Sequence, residues 1–370
     1  MKWSWKIGSF AGIDVFMHAT FLLIIGWVGF SYWQQTGSLG GTLNGILFTL
    51  VLFVCVVLHE FGHALTARRY GIKTRDITLY PIGGVARLER MPDKPIQEFW
   101  VAVAGPAVNV AIAVVLFGWL IISGTFAPLS SLGLASGPFI ERLMLLNVSL
   151  VLFNLIPAFP MDGGRVLRSL LALRLEYTSA TQIAAKIGQG MALLFGIVGF
   201  FTNPFLVFIA VFVWIGAAQE ASMVQMKTAL SGIPVRRAML TDFQALSPHN
   251  LLSQAVSQIL TRSQNDFPVV EANAVVGMLT RSDVLMAVSR QGQDVPVASV
   301  MHSDFQDADA DEMLEQAFIR LQTCGCNSLP VMYHGQLVGM LTSDSIGEFL
   351  RIQSAIGRNH IQDKPLVRGA

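Results

Sequence analysis

The chain has 370 residues, of which 53% are apolar and only 13% charged, with a formal net charge of +1. Such a composition excludes a small soluble domain and a disordered chain, and it points to a membrane protein with room for more than one domain. Charges are sparse up to about Ser222 and frequent beyond it, so a membrane domain over residues 1–222 is expected to precede a soluble region.

The first residues, Met1-Lys2-Trp3-Ser4-Trp5-Lys6, lack the small-residue cleavage site of a removable signal. A spanning helix needs about 20 mostly apolar residues. Six stretches meet or approach that length: 17–35, 44–66, 98–122, 139–157, 188–202 and 203–221. Loops 36–43 and 123–138 carry no charge, whereas the loops on the other side hold Lys2, Lys6, Arg68, Arg69, Lys73, Arg75, Arg87, Arg165, Arg168 and Lys227. The positive-inside rule then places both termini, and the soluble region, in the cytoplasm of a plasma membrane, with a prokaryotic source expected.

The second stretch contains Leu58-His59-Glu60-Phe61-Gly62-His63-Ala64. On a helix His59 and His63 stand one turn apart on one face, so two imidazoles can reach one ion with Glu60 beside them. Ionisable groups in so apolar a segment are costly unless paired or coordinated. Cys55, one turn earlier, is open as a fourth ligand or an ordinary small helix residue, and His18, near the first span, as a group approaching the site or an interfacial residue; the ordinary reading is preferred for both. Three cysteines, Cys55, Cys324 and Cys326, make no disulfide framework, and the close pair Cys324 and Cys326 lacks the neighbours of a structural zinc site.

Residues 74–88 hold β-prone runs around Pro81-Ile82-Gly83-Gly84-Val85 and predict a hairpin at the membrane edge. Its free strand could pair with an extended substrate backbone, with Gly83, Gly84 and Val85 in contact. The third span opens on Ala104-Gly105-Pro106-Ala107-Val108-Asn109, small residues that allow close helix contact, followed by an intramembrane amide. The fourth ends in Asn154-Leu155-Ile156-Pro157-Ala158-Phe159-Pro160-Met161-Asp162-Gly163-Gly164. Two prolines break the helix, the glycine pair is expected to turn the chain sharply, and Asp162 arrives at the depth of His63 as a candidate third ligand.

Together, the His59-Glu60-Phe61-Gly62-His63 helix, the Asn154-Leu155-Ile156-Pro157 and Met161-Asp162-Gly163-Gly164 segments, and the order of the spans resemble the site-2 protease family of intramembrane zinc metalloproteases, over about residues 10–222. The resemblance implies His59, His63 and Asp162 as ligands of one Zn2+, Glu60 as general base and Asn154 as a polar group near the scissile carbonyl. By the same resemblance the substrate is a membrane-spanning regulatory protein cut in regulated intramembrane proteolysis. The family's separate PDZ-fold peptide-binding domain has no visible counterpart in this chain.

After a linker over 223–233, the soluble region repeats with an offset of 62 residues: Pro234 aligns with Pro296, Pro268-Val269 with Pro330-Val331, and Val276-Gly277-Met278-Leu279-Thr280 with Val338-Gly339-Met340-Leu341-Thr342. The two copies, 234–295 and 296–352 with a tail over 353–370, resemble a tandem pair of cystathionine-β-synthase (CBS) domains. That resemblance implies an α/β fold and an adenine nucleotide such as ATP or AMP in the cleft between repeats; the alternative is a pair that only forms a homodimer or packs on the membrane domain, with Thr280 and Thr342 merely capping the helices that follow them. Thr280 and Asp283 complete the nucleotide motif in the first copy; in the second, Thr342 is present but Ser345 stands where Asp is expected. The expected whole is a multi-pass α-helical membrane protein of about six spans with a membrane-edge hairpin, followed by the α/β CBS pair, in contact with lipid and a protein substrate and not with nucleic acid. Two rival readings remain open: a CBS-regulated membrane transporter, which leaves Glu60 unexplained, and a non-catalytic zinc-stabilised scaffold, which tolerates loss of Glu60.

Overall fold

The computed structural model describes residues 3–81, 83–92, 94–124, 137–262, 264–324 and 326–362. Two compact units divide it, Met1–Val224 and Gln225–Ala370.

The first unit opens with strands β1 (Ser4–Phe10) and β2 (Ile13–His18), followed by helices α1 (Phe21–Thr36) and α2 (Leu39–Arg69). A hairpin of β3 (Thr74–Tyr80) and β4 (Gly83–Leu88) precedes α3 (Pro95–Ile122), α4 (Phe139–Asn154), α5 (Asp162–Leu171), α6 (Tyr177–Thr202) and α7 (Pro204–Leu230). Four helices, α2, α3, α6 and α7, are long and apolar enough to cross a membrane. Helices α1 and α4 have 16 residues each, and α5 is a short amphipathic helix rather than a span. The chain is thus a multi-pass α-helical membrane protein with an α/β C-terminal unit.

Several boundaries move from their expected places. Helix α6 starts at Tyr177, eleven residues before the apolar run at 188, because Ala180, Ala184 and Ala185 bury a small-residue face against protein. The expected linker at 223–233 is largely the last turns of α7, which runs through good helix formers to Leu230 and stops before Gly232 and Pro234. The expected hairpin forms, but as half of a four-stranded sheet in the order β1-β2-β3-β4, with β2 parallel to β3. Strand β4 is an edge.

Small residues set how closely α2 and α3 approach. A Cβ at Gly62 would lie 2.6 Å from the Ala104 carbonyl oxygen, so the helix carrying the histidines sits against the α3 backbone. The glycine pair at 163–164 also acts through space rather than backbone freedom: neither residue has positive φ. A Cβ at Gly164 would fall 2.6 Å from the Phe159 nitrogen, and one at Gly163 would run into the carbonyls of Leu155 and Ile156. Helix α5 therefore begins tucked under the broken segment before it, with Asp162 as its first residue. Arg168, fully buried, fastens α5 by donating through Nε to Glu98 of α3 (2.8 Å) and through its terminal nitrogens to Glu98 and to Glu220 of α7. Its guanidinium stacks 5.0 Å from the rings of Phe159 and Tyr177.

In the second unit, α8 (Leu252–Arg262), β5 (Asp266–Glu271), β6 (Ala274–Thr280) and α9 (Arg281–Gln291) form the first copy. Strand β7 (Ala308–Asp309), α10 (Leu314–Cys324), β8 (Ser328–Tyr333), β9 (Gln336–Thr342) and α11 (Ser343–Gln362) form the second. The 62-residue offset holds for β5 and β8, for β6 and β9, and for α8 and α10. Each copy has its own core, around Phe267, Leu279 and Val284 in the first and Leu329, Leu341 and Ile346 in the second. The Ser328 hydroxyl donates to Asp266 (2.8 Å), joining equivalent positions of the two copies. Cys324 and Cys326 are bonded to each other as a disulfide.

Candidate metal centre

His59 and His63 are 7% and 6% exposed on α2, and Asp162 is 8% exposed at the start of α5. Their Nε2 atoms lie 3.0 Å apart, and Asp162 Oδ2 is 3.2 Å from each. Among the described residues these three form the group of His, Cys, Asp and Glu side chains disposed to hold a metal.

The other ring nitrogens decide which tautomers are present. His63 Nδ1 is 2.7 Å from the Val101 carbonyl, which can only accept, so Nδ1 carries the proton. His59 Nδ1 is 2.6 Å from Asn109 Oδ1, and the Asn109 amide in turn donates to Asn147 Oδ1 at 2.8 Å. That chain orients the Asn109 oxygen toward the ring and again leaves Nε2 bare. Two unprotonated nitrogens and a carboxylate oxygen thus converge with no proton among them, an arrangement that repels itself unless a cation sits between the lone pairs. A tetrahedral zinc with bonds of about 2.0–2.1 Å separates its ligand atoms by about 3.3 Å, so the donor set fits the ion in kind and in spacing.

The backbone of α3 runs directly beneath the rings, since a Cβ at Gly105 would meet His63 Nε2 and lie 2.7 Å from His59 Nε2. Glu60 Oε2 accepts from the Ala86 N–H of β4 at 3.1 Å, and a Cβ at Gly84 would stand 2.8 Å from Glu60 Cγ. A cavity of about 390 Å³ brings together His59, Glu60, Gly83, Gly84, Asn109 and Asn154, walled on its apolar side by Ile24 of α1 and Leu150 and Phe153 of α4. Val85 is 44% exposed on β4 and does not line that cavity. Ile82 falls outside the described residues.

Cys55 packs with Phe48 and Leu143, and His18 bonds Thr20 and stacks on Tyr80, so neither joins the metal group. Gly105, Asn109, Asn147 and the Val101 carbonyl escaped sequence reasoning as neighbours of the histidines. The Asn109 amide in an apolar span was the one available signal.

A model of "Peptidase family M50" matches residues 47–137 and 131–195, and a model of the "CBS domain" matches 235–290 and 297–351. The relative "Zinc metalloprotease MJ0392" of Methanocaldococcus jannaschii is 36% identical over 75% of this chain and 78% of its own length. The chain belongs to peptidase family M50. This M50 peptidase is a site-2-protease-like zinc metalloprotease with a tandem CBS pair. The Synechocystis protein sll0528 is 32% identical across 95% of this chain and 96% of its own. Among solved structures, "Site-2 Protease from Methanocaldococcus jannaschii" is 39% identical, covers 59% of this chain and 95% of its own, and gives a TM-score of 0.43.

In the CBS pair, a cavity of about 580 Å³ is lined by Asp242, Asp266, Ser328, Thr342, Asp344 and Glu348 among others. Thr280 and Asp283, expected as the more complete nucleotide motif, do not line it. They form a capping box at the start of α9, and Asp283 also pairs with His302 Nε2 at 3.0 Å. Thr342 does line the cavity, with Ser345 completing the reciprocal cap that Asp283 completes in the first copy.

Proposed function

We propose that this M50 peptidase hydrolyses peptide bonds of membrane-spanning regulatory proteins within or at the edge of the bilayer, in regulated intramembrane proteolysis. The observation that carries the reading is the convergence of His59, His63 and Asp162 beside a cavity that also holds Glu60 and Asn154. His59 Nε2, His63 Nε2 and Asp162 Oδ2 would hold the ion. A zinc there supplies Lewis acidity that polarises a carbonyl and makes water nucleophilic near neutral pH. Glu60 takes the proton of the attacking water and delivers it to the departing amine. The Ala86 N–H holds Oε2 of that carboxylate and leaves Oε1 for the water. Asn154 donates to the oxygen on which negative charge develops.

Strand β4 supplies the substrate's backbone with a partner. Because Ala86 N–H turns to Glu60, the backbone groups of Gly84 and Ala86 face away from β3 in an alternating antiparallel ladder. A substrate helix unwound to an extended strand pairs along this edge, with Gly83 and Gly84 leaving room for its side chains. Val85 would touch that strand from outside the cavity. The charge bias of the loops supports cytoplasmic termini and a cytoplasmic CBS pair. An adenine nucleotide in the CBS cleft would regulate cleavage through its differing affinity for two states of the chain.

The test is zinc content and cleavage of a membrane-helix substrate by purified wild type, Glu60→Gln and His59→Ala. Glu60→Gln is expected to keep its zinc and lose about 10²- to 10⁴-fold in rate, and His59→Ala to lose both. Full activity in Glu60→Gln removes the assigned role; zinc retained with no cleavage by wild type leaves the scaffold reading.

A further inference from the structure

The cavity beside the histidines has two ends of opposite character. His59, Glu60, Asn109 and Asn154 gather at one, and Phe53, Val56, Leu150 and Phe153 wall the other. Val56 precedes Glu60 by four residues on α2, and Leu150 precedes Asn154 by four on α4. Each of these two apolar residues therefore shares a helix face with a polar group of the site, one turn away. Phe48 of α2 packs on Phe139 of α4, and both helices reach the polar end of the cavity at His59 and Asn154, so they run in the same direction. Val56 and Leu150 thus stand on the same side of the polar groups. Arg68 and Arg69 close α2 beyond the histidines, which makes that side the one toward the membrane centre.

Strand β4 follows the same course. A Cβ at Gly84 would lie 2.8 Å from Glu60 Cγ and 3.2 Å from Val56 Cγ1, and Ala86 packs against Ala64, one turn of α2 beyond Glu60. A backbone paired on the β4 edge therefore passes Val56 on its way from the metal into the membrane.

The space is large for the chemistry alone. Its volume of about 390 Å³ far exceeds the ~30 Å³ share of one water. Among the described residues, Val56, Leu150 and Phe153 join no core cluster. An apolar void between packed helices costs stability, so a void of this size that opens onto the metal centre points to an occupant.

We propose that the apolar end is a side-chain subsite: it takes a large apolar residue of the substrate, within two positions of the cleaved bond on its membrane-centre side, and Val56 and Leu150 set the size it admits. This rests on the proteolytic reading given above. An extended strand advances about 3.3 Å per residue and a helical turn rises about 5.4 Å, so the second residue from the bond reaches the subsite at the latest. A charged side chain there loses its hydration without gaining a partner, and a small one leaves the void unfilled.

The test uses the full zinc-loaded chain and a membrane-helix substrate carrying Ala, Leu or Trp at each of the two positions on either side of the cleaved bond. Val56→Ala and Leu150→Phe move the size limit in opposite directions. Leu150→Phe is expected to lower the ratio of kcat/KM for Leu over Ala by about tenfold or more, and Val56→Ala to raise the ratio for Trp over Ala by a similar factor, at a membrane-centre position only. Equal ratios in wild type and both variants overturn the proposal, as does the same size dependence on the cytoplasmic side. A diazirine analogue of leucine, scanned through the substrate span bound to zinc-loaded Glu60→Gln, reads the contact without turnover. Adducts on Val56 or Leu150 from one position or two neighbouring ones are expected; adducts from none, or from the whole span, overturn the subsite. An inactive wild type with the expected adducts removes the proteolytic reading and keeps the subsite, whereas an active wild type without them does the reverse.

Discussion

At the residue scale, the centre depends on side chains that do not touch the ion. Asn109 holds the tautomer and direction of His59, whereas His63 is held by a backbone carbonyl that no substitution deletes. Asn109→Ala is therefore expected to weaken zinc binding about 10- to 100-fold while leaving His63 oriented, as measured by competition with a chelator. It also strands the Asn147 oxygen in a fully buried position, at a cost of about 1–3 kcal/mol. Gly105→Ala should act more bluntly, since its methyl occupies the space of the imidazole nitrogens; loss of zinc from a protein that still inserts in membranes is the expected outcome. The spacing of His59, Glu60 and His63 was legible because one helical turn is a local quantity. Asn109 and Gly105 were not, because their proximity to the rings exists only once α3 packs on α2, and nothing in a single span's sequence states which face that will be.

Among the elements, α5 is the one on which the centre turns, for it brings Asp162 to a pair of histidines a hundred residues earlier in the chain. Its placement rests on Arg168, a charge fully removed from water and satisfied by Glu98 and Glu220 from two other helices. Breaking a buried pair by deleting one partner costs about 3–5 kcal/mol, because the other charge stays behind. Arg168→Ala is thus expected to lower the unfolding midpoint in detergent and to raise the zinc off-rate, both read on the same sample. A variant with unchanged zinc retention would show that the glycine-tucked turn alone positions Asp162. The broken segment and Asp162 could be read from the two prolines, but the reason for Gly163-Gly164 could not: the pair looks like a turn signal, and the requirement is clearance for the Leu155, Ile156 and Ala158 backbone. Strands β1 and β2 were missed for a comparable reason. Their alternation is short and is interrupted by a bulge, and the strand that completes the sheet, β3, lies some sixty residues downstream.

For the whole molecule, the two units carry different physics. One holds its chemistry in a small-residue crevice among apolar helices; the other offers a cleft bounded by carboxylates. The repeat made the CBS pair plain in the sequence, since a 62-residue offset survives any uncertainty about individual elements. Which threonine lines the cavity was not plain, because both copies carry the Gly-x-x-Thr element and the first, with Asp283 where the second has Ser345, reads as the more complete motif. Thr280 with Asp283 caps α9, and Thr342 lines the cavity. If an adenine nucleotide occupies that cavity, Thr342→Ala should weaken its binding to the full chain by about tenfold, the effect of roughly one lost hydrogen bond of about 1.4 kcal/mol. Thr280→Ala should instead leave affinity unchanged and cost about 1 kcal/mol of stability through the lost cap. The lining adds a second expectation. Asp242, Asp266, Asp344 and Glu348 surround the space, with no lysine or arginine lining it among the described residues, and bare phosphates are repelled by such a wall. Magnesium should therefore strengthen ATP binding far more than it strengthens binding of adenosine, in calorimetric titrations with and without the metal. Equal affinities for ATP in both conditions would mean that the phosphates point out of the cleft, and that the carboxylates serve the pairing of the two repeats instead.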